Sequence, residues 1–292
     1  MKVQKSYEDG AGGTLYVVPT PIGNLEDITF RALKTLKTVN VIAAEDTRNT
    51  KKLLNHFEIN TPLISYHEHN KLGREEQLLP RMEQGESIAV VSDAGMPAIS
   101  DPGYELVQAA IANDLPVVVL PGANAALCAL VGSGLPAKSF HFYGFLPRKK
   151  KEKEAELDRL KGLKDTLLFY ESPHRLKDTL KAIKDRLGDR QAVIARELTK
   201  RFEEFSRGTT EELLTYVTET TLKGECCIVV EGTSSDIHES EVLWWSHLSV
   251  REHVIHYIEG ESLPSKEAIK RVATERQMPK REVYQAYHID SD

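Results

Sequence analysis

Three short apolar runs in this chain each stop at a stiff Pro/Gly loop and are followed by a helical pattern. Leu15-Tyr16-Val17-Val18 ends in Pro19-Thr20-Pro21-Ile22-Gly23-Asn24-Leu25. Ile88–Val91 ends in Ser92-Asp93-Ala94-Gly95-Met96-Pro97-Ala98-Ile99-Ser100-Asp101-Pro102-Gly103. Pro116–Leu120 ends in Pro121-Gly122-Ala123-Asn124. Buried strands that feed helices through such turns belong to a parallel sheet. Its strand-end loops converge on one edge, where open α/β sheets bind ligands. Gly95 allows close backbone approach, the prolines hold the loops stiff, and Asp101 and Pro102 suit the start of a helix from Tyr104.

The same pattern divides the chain. A polar and flexible stretch, 1–13, is expected to precede an α/β domain, 14–122. Its strands lie near Leu15–Val18, Val39–Ala44, Leu63–Tyr66, Ile88–Val91 and Val117–Leu120, and its helices near Asp27–Leu36, Arg48–Phe57, Glu75–Glu83 and Tyr104–Asn113. A second α/β domain, 123–234, has a helix over Asn124–Val131. Its strands lie near Phe140–Phe145, Leu167–Tyr170, Ala192–Glu197, Glu203–Arg207 and Cys226–Glu231. Ser172-Pro173 suits a helix start, Gly188 its end, and Thr209 with Glu212 a capping box. Arg201–Gly208 breaks the α/β rhythm and suggests an antiparallel strand pair. A helical module, 241–292, carries Ser265–Gln277 and Lys280–His288 around Met278-Pro279, which reads as helix-turn-helix-like.

Several classes are excluded. No G-x-G-x-x-G follows a strand, no Walker A sequence occurs, and no G-x-S-x-G elbow is present. The three cysteines form no C-x-x-C pair, so no zinc or disulfide framework is expected, and a reducing cytoplasm is the simplest compartment. No signal peptide is read ahead of the first strand. Leu115–Ala137 carries no charge, but Pro121-Gly122 breaks it, so strand, loop and buried helix are expected in place of a membrane span. His67-Glu68-His69 lacks a third ligand cluster and reads as a polar strand end, so no metal is expected. The net charge is −6, so any contact with nucleic acid must be local.

A set of motifs in order carries a family resemblance. They are Tyr16–Leu25, Ala43-Ala44-Glu45-Asp46-Thr47-Arg48, the Ser92–Gly103 loop, Pro121-Gly122 and Gly144-Phe145-Leu146-Pro147, followed by Tyr170-Glu171-Ser172-Pro173-His174-Arg175, Ala195-Arg196-Glu197-Leu198-Thr199-Lys200 and Gly224-Glu225. With these, the chain resembles the tetrapyrrole methylase superfamily, and within it the group that methylates small-subunit ribosomal RNA. Met96, Ala98 and Ala123-Asn124 depart from the usual pattern, which bears on the shape of the cofactor pocket. The resemblance implies two α/β domains with S-adenosyl-L-methionine in the cleft between them, a small C-terminal helical module and a homodimer. It further implies 2′-O-methylation of a cytidine in the decoding region of 16S rRNA, on naked rRNA or the assembled small subunit.

Candidate cofactor-binding residues are then Pro21, Gly23, Asp93, Ala94, Gly95, Pro97, Ser100, Asp101, Pro121, Gly122, Tyr170, Ala195 and Gly224. Backbone groups at Gly23, Gly95 and Gly122 could bond the cofactor; Asp93 could bind its ribose or ammonium group, or cap its own turn. A ribose hydroxyl needs its proton accepted or its oxygen held in line, so the candidate carboxylates are those at strand ends, Glu45, Asp46, Glu171 and Glu197, with Glu45, Asp46 and Glu197 the catalytic candidates. Arg48, Arg175, Arg196 and Lys200 could bind phosphate, or form salt bridges with those carboxylates. Lys149, Lys150 and Lys151, in the run Arg148–Lys153, are RNA-binding candidates or a solvated helix face. The tail from Pro264 to His288 has a local net charge of +3, with Lys270 and Arg271 as RNA candidates. Two other readings compete. A small-molecule tetrapyrrole C-methyltransferase of the same fold would need neither the basic patches nor the tail. A non-enzymatic nucleic-acid-binding regulator would not need the cleft loops.

Overall fold

The computed structural model describes residues 3–6, 12–233, 245, 247–276 and 278–288. Two compact units result, Met1–Ser234 and Ser235–Asp292.

The first unit is built on two five-stranded sheets. In the first, β1 (Leu15–Val17), β2 (Val41–Ala44), β3 (Leu63–Ser65), β4 (Ile88–Val91) and β5 (Val117–Val119) pair in parallel, in the order β3-β2-β4-β1-β5. The strands are apolar throughout because both faces are covered. β2 sends Val41 and Ala43 to one face, under Leu78, Met82 and Leu106 of α3 (Lys71–Glu83) and α4 (Tyr104–Ala112). It sends Ile42 and Ala44 to the other, under Leu36 and Leu54 of α1 (Phe30–Thr38) and α2 (Thr47–His56). Burying each such leucine contributes about 1.5–3 kcal/mol. α1 starts where Thr29 accepts the Ala32 N–H, and α2 where Asp46 accepts that of Arg48. α4 starts differently from expectation. Its N-cap is Gly103, at φ 139°, without a side-chain cap, so Asp101 is left outside the helix.

The second sheet is mixed. β6 (Phe140–Phe145), β7 (Thr166–Glu171), β8 (Gln191–Arg196), β9 (Glu204–Thr209) and β10 (Cys226–Val230) run in the order β6-β7-β10-β8-β9. β6 and β7 are parallel and the other pairings antiparallel, including β8 with β9. α5 (Ala125–Ser133) covers one face through Ala126, Ala129 and Leu130. α6 (Lys150–Leu160), α7 (Leu176–Leu187) and α8 (Thr210–Glu219) cover the other through Leu157, Leu180, Ile183 and Leu213. The Thr209–Glu212 capping box forms. Gly188 ends α7, but Ser172 does not cap it: the N-cap is Arg175, with no side-chain bond. The Leu115–Ala137 segment divides into β5, a loop and α5, and no helix among the described residues is long and apolar enough to cross a membrane. Ile22 and Leu198 pack with α5 and the second sheet, which joins the two halves.

Of the stretch 1–13, residues 3–6 and 12–13 are described. Gln4 lies along the free edge of β5, giving its Nε2 to the Val117 carbonyl at 2.8 Å and accepting the Val117 N–H at 2.9 Å. This pairs an edge strand that would otherwise expose both groups. In the second unit, α9 (Val250–Gly260), α10 (Ser265–Glu275) and α11 (Lys280–His288) pack around Val254, Tyr257, Ile269, Val272 and Val283. α9, within the stretch expected to be helical but not given bounds from the sequence, opens with a Ser249–Glu252 capping box. Of the stretch ahead of it that the sequence reading counts in the module, 241–244 and 246 lie outside the described residues, as do Gln277 and the end of the chain, 289–292.

Candidate functional site

The loops that follow β1 and β4 are tied together where they leave the sheet. Thr20 and Gly95 exchange both backbone bonds, at 3.0 and 2.9 Å, and the Thr20 hydroxyl donates to the Ser92 carbonyl at 3.1 Å. Gly95 sits at φ 81°, where a side chain is strained. Its N–H is spent on the Thr20 carbonyl, and its C=O accepts from the Thr20 N–H and, at 3.4 Å, from the Ser92 hydroxyl. Ala98 and Ser100, in the same loop, also have positive φ, as do Glu197 and Thr199 after β8. Non-glycine residues held there cost about 1–3 kcal/mol each and gather at functional sites.

Between the two sheets these loops enclose a cleft of about 470 Å³. Of the cofactor candidates, Asp93, Ala94, Gly95, Ser100, Asp101, Tyr170, Ala195 and Gly224 line it. Pro21 and Gly23 line an adjoining recess, and Pro97, Pro121 and Gly122 line neither. Gly122 packs instead against Pro19, holding the β1 and β5 loops together. Met96 and Glu171, which the sequence offers as a departure that shapes the pocket and as a strand-end carboxylate, also line it; Ile22, Phe145, Glu225 and the adjacent Cys226 and Cys227 line it too and are not among the site residues named from the sequence. Alternation along β10 could have flagged the cysteines, since one of any adjacent pair faces the α5 side.

The cleft is apolar and acidic. Tyr170 packs edge-on to Phe142, with ring centroids 5.0 Å apart, and its hydroxyl accepts the Ala126 N–H at 3.2 Å. Burial pushes its phenol up to about 12, and the Cys226 thiol to about 11. Asp101 is pushed up to about 7 by burial and by the neighbouring carboxylates of Glu45, Asp93 and Glu225. Glu45 is also raised, chiefly by burial. Asp93 does not cap its own turn. Its carboxylate accepts the Asp46 N–H at 3.1 Å and the Asn49 amide at 3.0 Å, which fixes it to the start of α2. Glu171, 2 % exposed, forms the floor. It accepts the Thr179 hydroxyl at 2.7 Å, that hydroxyl accepts Lys153 Nζ at 3.1 Å, and Arg175 Nε lies 3.5 Å away. Lys153 is therefore not part of a basic surface: it is buried, and burial and Arg175 lower its pKa.

The remaining candidates separate by surroundings. Glu45 lines the cleft. Asp46 caps α2 and pairs with Arg48 at 2.6 Å, which holds it down at about 2. Glu197 accepts Lys200 Nζ at 2.9 Å and the Glu225 N–H at 3.0 Å, and lies where a Cβ on Gly224 (φ 88°) would stand. Lys200 also reaches Glu225 at 2.9 Å. Arg196 pairs with Glu204 at 2.6 Å, and Arg175 donates to the Leu146 carbonyl at 2.8 Å. These cations brace the loops. Lys149, Lys150 and Lys151 are exposed; the first two reach Glu152 at 2.9 Å and Glu154 at 3.9 Å. Such surface pairs are worth little and leave the lysines available. In the second unit Lys270 is exposed, whereas Arg271 bonds Glu261 and Glu275 and lies 4.2 Å over the Tyr257 ring. No group of three or more His, Cys, Asp or Glu among the described residues could hold a metal ion.

With this geometry in place, the sequence matches the family model Tetrapyrrole (Corrin/Porphyrin) Methylases over residues 14–214. The chain is 57 % identical to a ribosomal RNA small subunit methyltransferase I of Halalkalibacterium halodurans over 289 residues, covering 99 % of each chain. It is 55 % identical to the protein of that name in Bacillus subtilis over 277 residues, covering 95 % of this chain and 94 % of the relative. The fold is similar to that of a uroporphyrin-III C-methyl transferase from Thermus thermophilus complexed with S-adenyl homocysteine. That likeness has a TM-score of 0.52 at 20 % identity, covering 74 % of this chain and 97 % of the other.

Proposed function

Because this chain belongs to the tetrapyrrole methylase family, we propose that it is an S-adenosylmethionine-dependent ribosomal RNA methyltransferase. It modifies the ribose 2′-oxygen of a cytidine in the decoding region of 16S rRNA. The observation that carries this reading is the acidic, apolar cleft, in a chain that follows small-subunit rRNA methyltransferases along nearly its whole length. The donor set suits the cofactor: carboxylates at Asp93, Asp101, Glu45 and Glu225 match a cationic sulfonium and ammonium, and Ile22, Met96, Phe145 and Tyr170 match a flat base. When bound, S-adenosylmethionine supplies an electrophilic methyl group. The chain's own part is to hold the acceptor oxygen in line and to take its proton. Of the four strand-end carboxylates named from sequence, Asp46, Glu197 and Glu171 are committed to Arg48, to Lys200 and to Thr179 with Arg175, so Glu45, made more basic by burial, takes the proton in this reading.

Asp101 gives a pH test. A protonated Asp101 does not attract a cation, so affinity for S-adenosylmethionine should rise as pH climbs through about 7. Titration calorimetry in chelator across about pH 6 to 8 checks it. Asp101→Asn should flatten the rise, and absence of any binding heat in the unaltered protein would remove the cofactor from the account. The same group favours the folded state below its ordinary value of 3.8, and that contribution is lost as pH rises to about 7.

RNA is gripped locally through Lys149, Lys150 and Lys151 on α6 and through Lys270 in the second unit. Changing the three α6 lysines to Ala should flatten the salt dependence of RNA affinity by roughly two to three units and leave cofactor affinity alone. An unchanged slope would make them a solvated face. The protein works in the cytoplasm as a homodimer; α5 supports the latter, because it buries Ala126 and Leu130 yet leaves Leu127 48 % and Val131 76 % exposed.

A further inference from the structure

The turn between β8 and β9 carries an aromatic ring that the fold leaves largely bare. The Glu203 N–H donates to the Lys200 carbonyl at 3.0 Å, so Arg201 and Phe202 are the two central residues of a four-residue turn. Such positions ordinarily go to Gly, Pro, Asn, Asp or Ser. Phe202 is instead 65 % exposed, and the Arg201 guanidinium lies 5.6 Å from the centre of its ring.

The turn is nonetheless held firmly. Thr199, at φ 66°, gives its N–H to Glu203 at 2.6 Å, and its hydroxyl accepts the Asn24 N–H at 3.0 Å. Lys200 bonds Glu197 and Glu225, each at 2.9 Å. A ring on a turn braced in this way loses little freedom when a partner packs on it.

Position and charge select that partner. Leu198, just ahead of the turn, lines the cleft, and Lys200 lines the adjoining recess. The turn therefore stands at the rim of the site. Exposed cations border the same rim: Arg48 and Lys52 on α2, Arg201 on the turn itself, and Lys223 ahead of β10. Glu203 and Glu225 beside the turn are already bonded, to the Thr199 N–H and to Lys200. A polyanion with unpaired bases answers both features. Its phosphates match the cations, and every base has a face that stacks on an aromatic ring. Lysine is depleted from interfaces between protein copies, which argues against a second copy of the chain as the occupant.

We propose that Phe202, backed by Arg201, is a stacking platform for an unpaired base of the RNA that flanks the target nucleotide. The proposal rests on the RNA-methyltransferase reading and deepens it, because it requires a substrate that is single-stranded beside the target. The target ribose itself stays with Glu45 at the cleft. Stacking engages the face of a base and not its edge, so the platform positions the strand without selecting its sequence.

Phe202→Ala and Phe202→Trp in the full chain test this, with S-adenosylhomocysteine and small ribosomal subunits as probes. Phe202→Ala should weaken subunit binding about tenfold. Phe202→Trp should bind as tightly as the parent, and the fluorescence it adds should be quenched by the subunit. Neither change should move the unfolding temperature, the S-adenosylhomocysteine affinity or the mass by light scattering, since the ring is exposed and outside the cleft lining. Unchanged subunit affinity for Phe202→Ala, in a protein that methylates the subunit, overturns the platform alone. Added fluorescence that the subunit leaves unquenched does the same. A changed mass would assign the turn to a contact between copies, and a lower unfolding temperature or S-adenosylhomocysteine affinity would assign it to the fold or the cofactor site; each overturns the platform. An unaltered protein that methylates no RNA overturns the platform and the reading on which it rests.

Discussion

Gly95→Val is expected to weaken S-adenosylmethionine binding by roughly 10- to 100-fold. A Cβ at Gly95 would stand 3.3 Å from Ile22 Cγ2, and the two further methyl groups of valine would extend into the space that Gly95 and Ile22 both line. The backbone suffers too. Gly95 has φ 81° and exchanges two hydrogen bonds with Thr20, so a β-branched residue strains the tie between the β1 and β4 loops. A loss of about 1–3 kcal/mol is expected, or about 2–10 °C in unfolding temperature. The Thr20 bridge thus makes the fold as well as the cleft sensitive to this change. Thermal unfolding and calorimetry on one preparation check both parts. Unchanged affinity would reduce Gly95 to a turn residue and move the cofactor elsewhere.

The largest stability effect is expected at the cleft floor. Glu171→Leu leaves Lys153 buried with only the Thr179 hydroxyl beside it, and leaves Arg175 without its carboxylate. Removing one partner of a buried ionic network costs about 3–5 kcal/mol, which in a chain of this size is about 6–20 °C. Replacing both ends, Glu171→Leu with Lys153→Met, should recover more than half of that loss, because apolar groups of similar volume satisfy each other. Urea denaturation of the two single variants and the double variant measures the coupling. A Glu171→Leu protein as stable as the parent would mean that the network contributes nothing net.

Much of this architecture was legible because strands buried on both faces announce themselves. Leu15–Val18, Ile88–Val91 and Val117–Leu120 are apolar without alternation, and each lands in the first sheet with its loop at the cleft. The family resemblance is likewise shown by the match over residues 14–214. What the sequence hid depends on partners distant along the chain. Lys153 reads as one more cation in a basic run, yet its partner Thr179 is 26 residues away and turns it inward. Asp101 precedes Pro102 as a cap would, but Gly103 turns the chain at positive φ and leaves the carboxylate in the cleft. Glu197, Arg196 and Lys200 look like chemistry at a strand end, while the structure spends them on Glu225, Glu204 and each other.

The central claim is that this cleft serves methylation of ribosomal RNA. Its most direct test is incubation of the protein with methyl-labelled S-adenosylmethionine and small ribosomal subunits or 16S rRNA, with a tetrapyrrole as a parallel acceptor, followed by nucleoside analysis. The account predicts label in 2′-O-methylcytidine and none in the tetrapyrrole; label on a base, on the tetrapyrrole, or in no RNA nucleoside at all would contradict it.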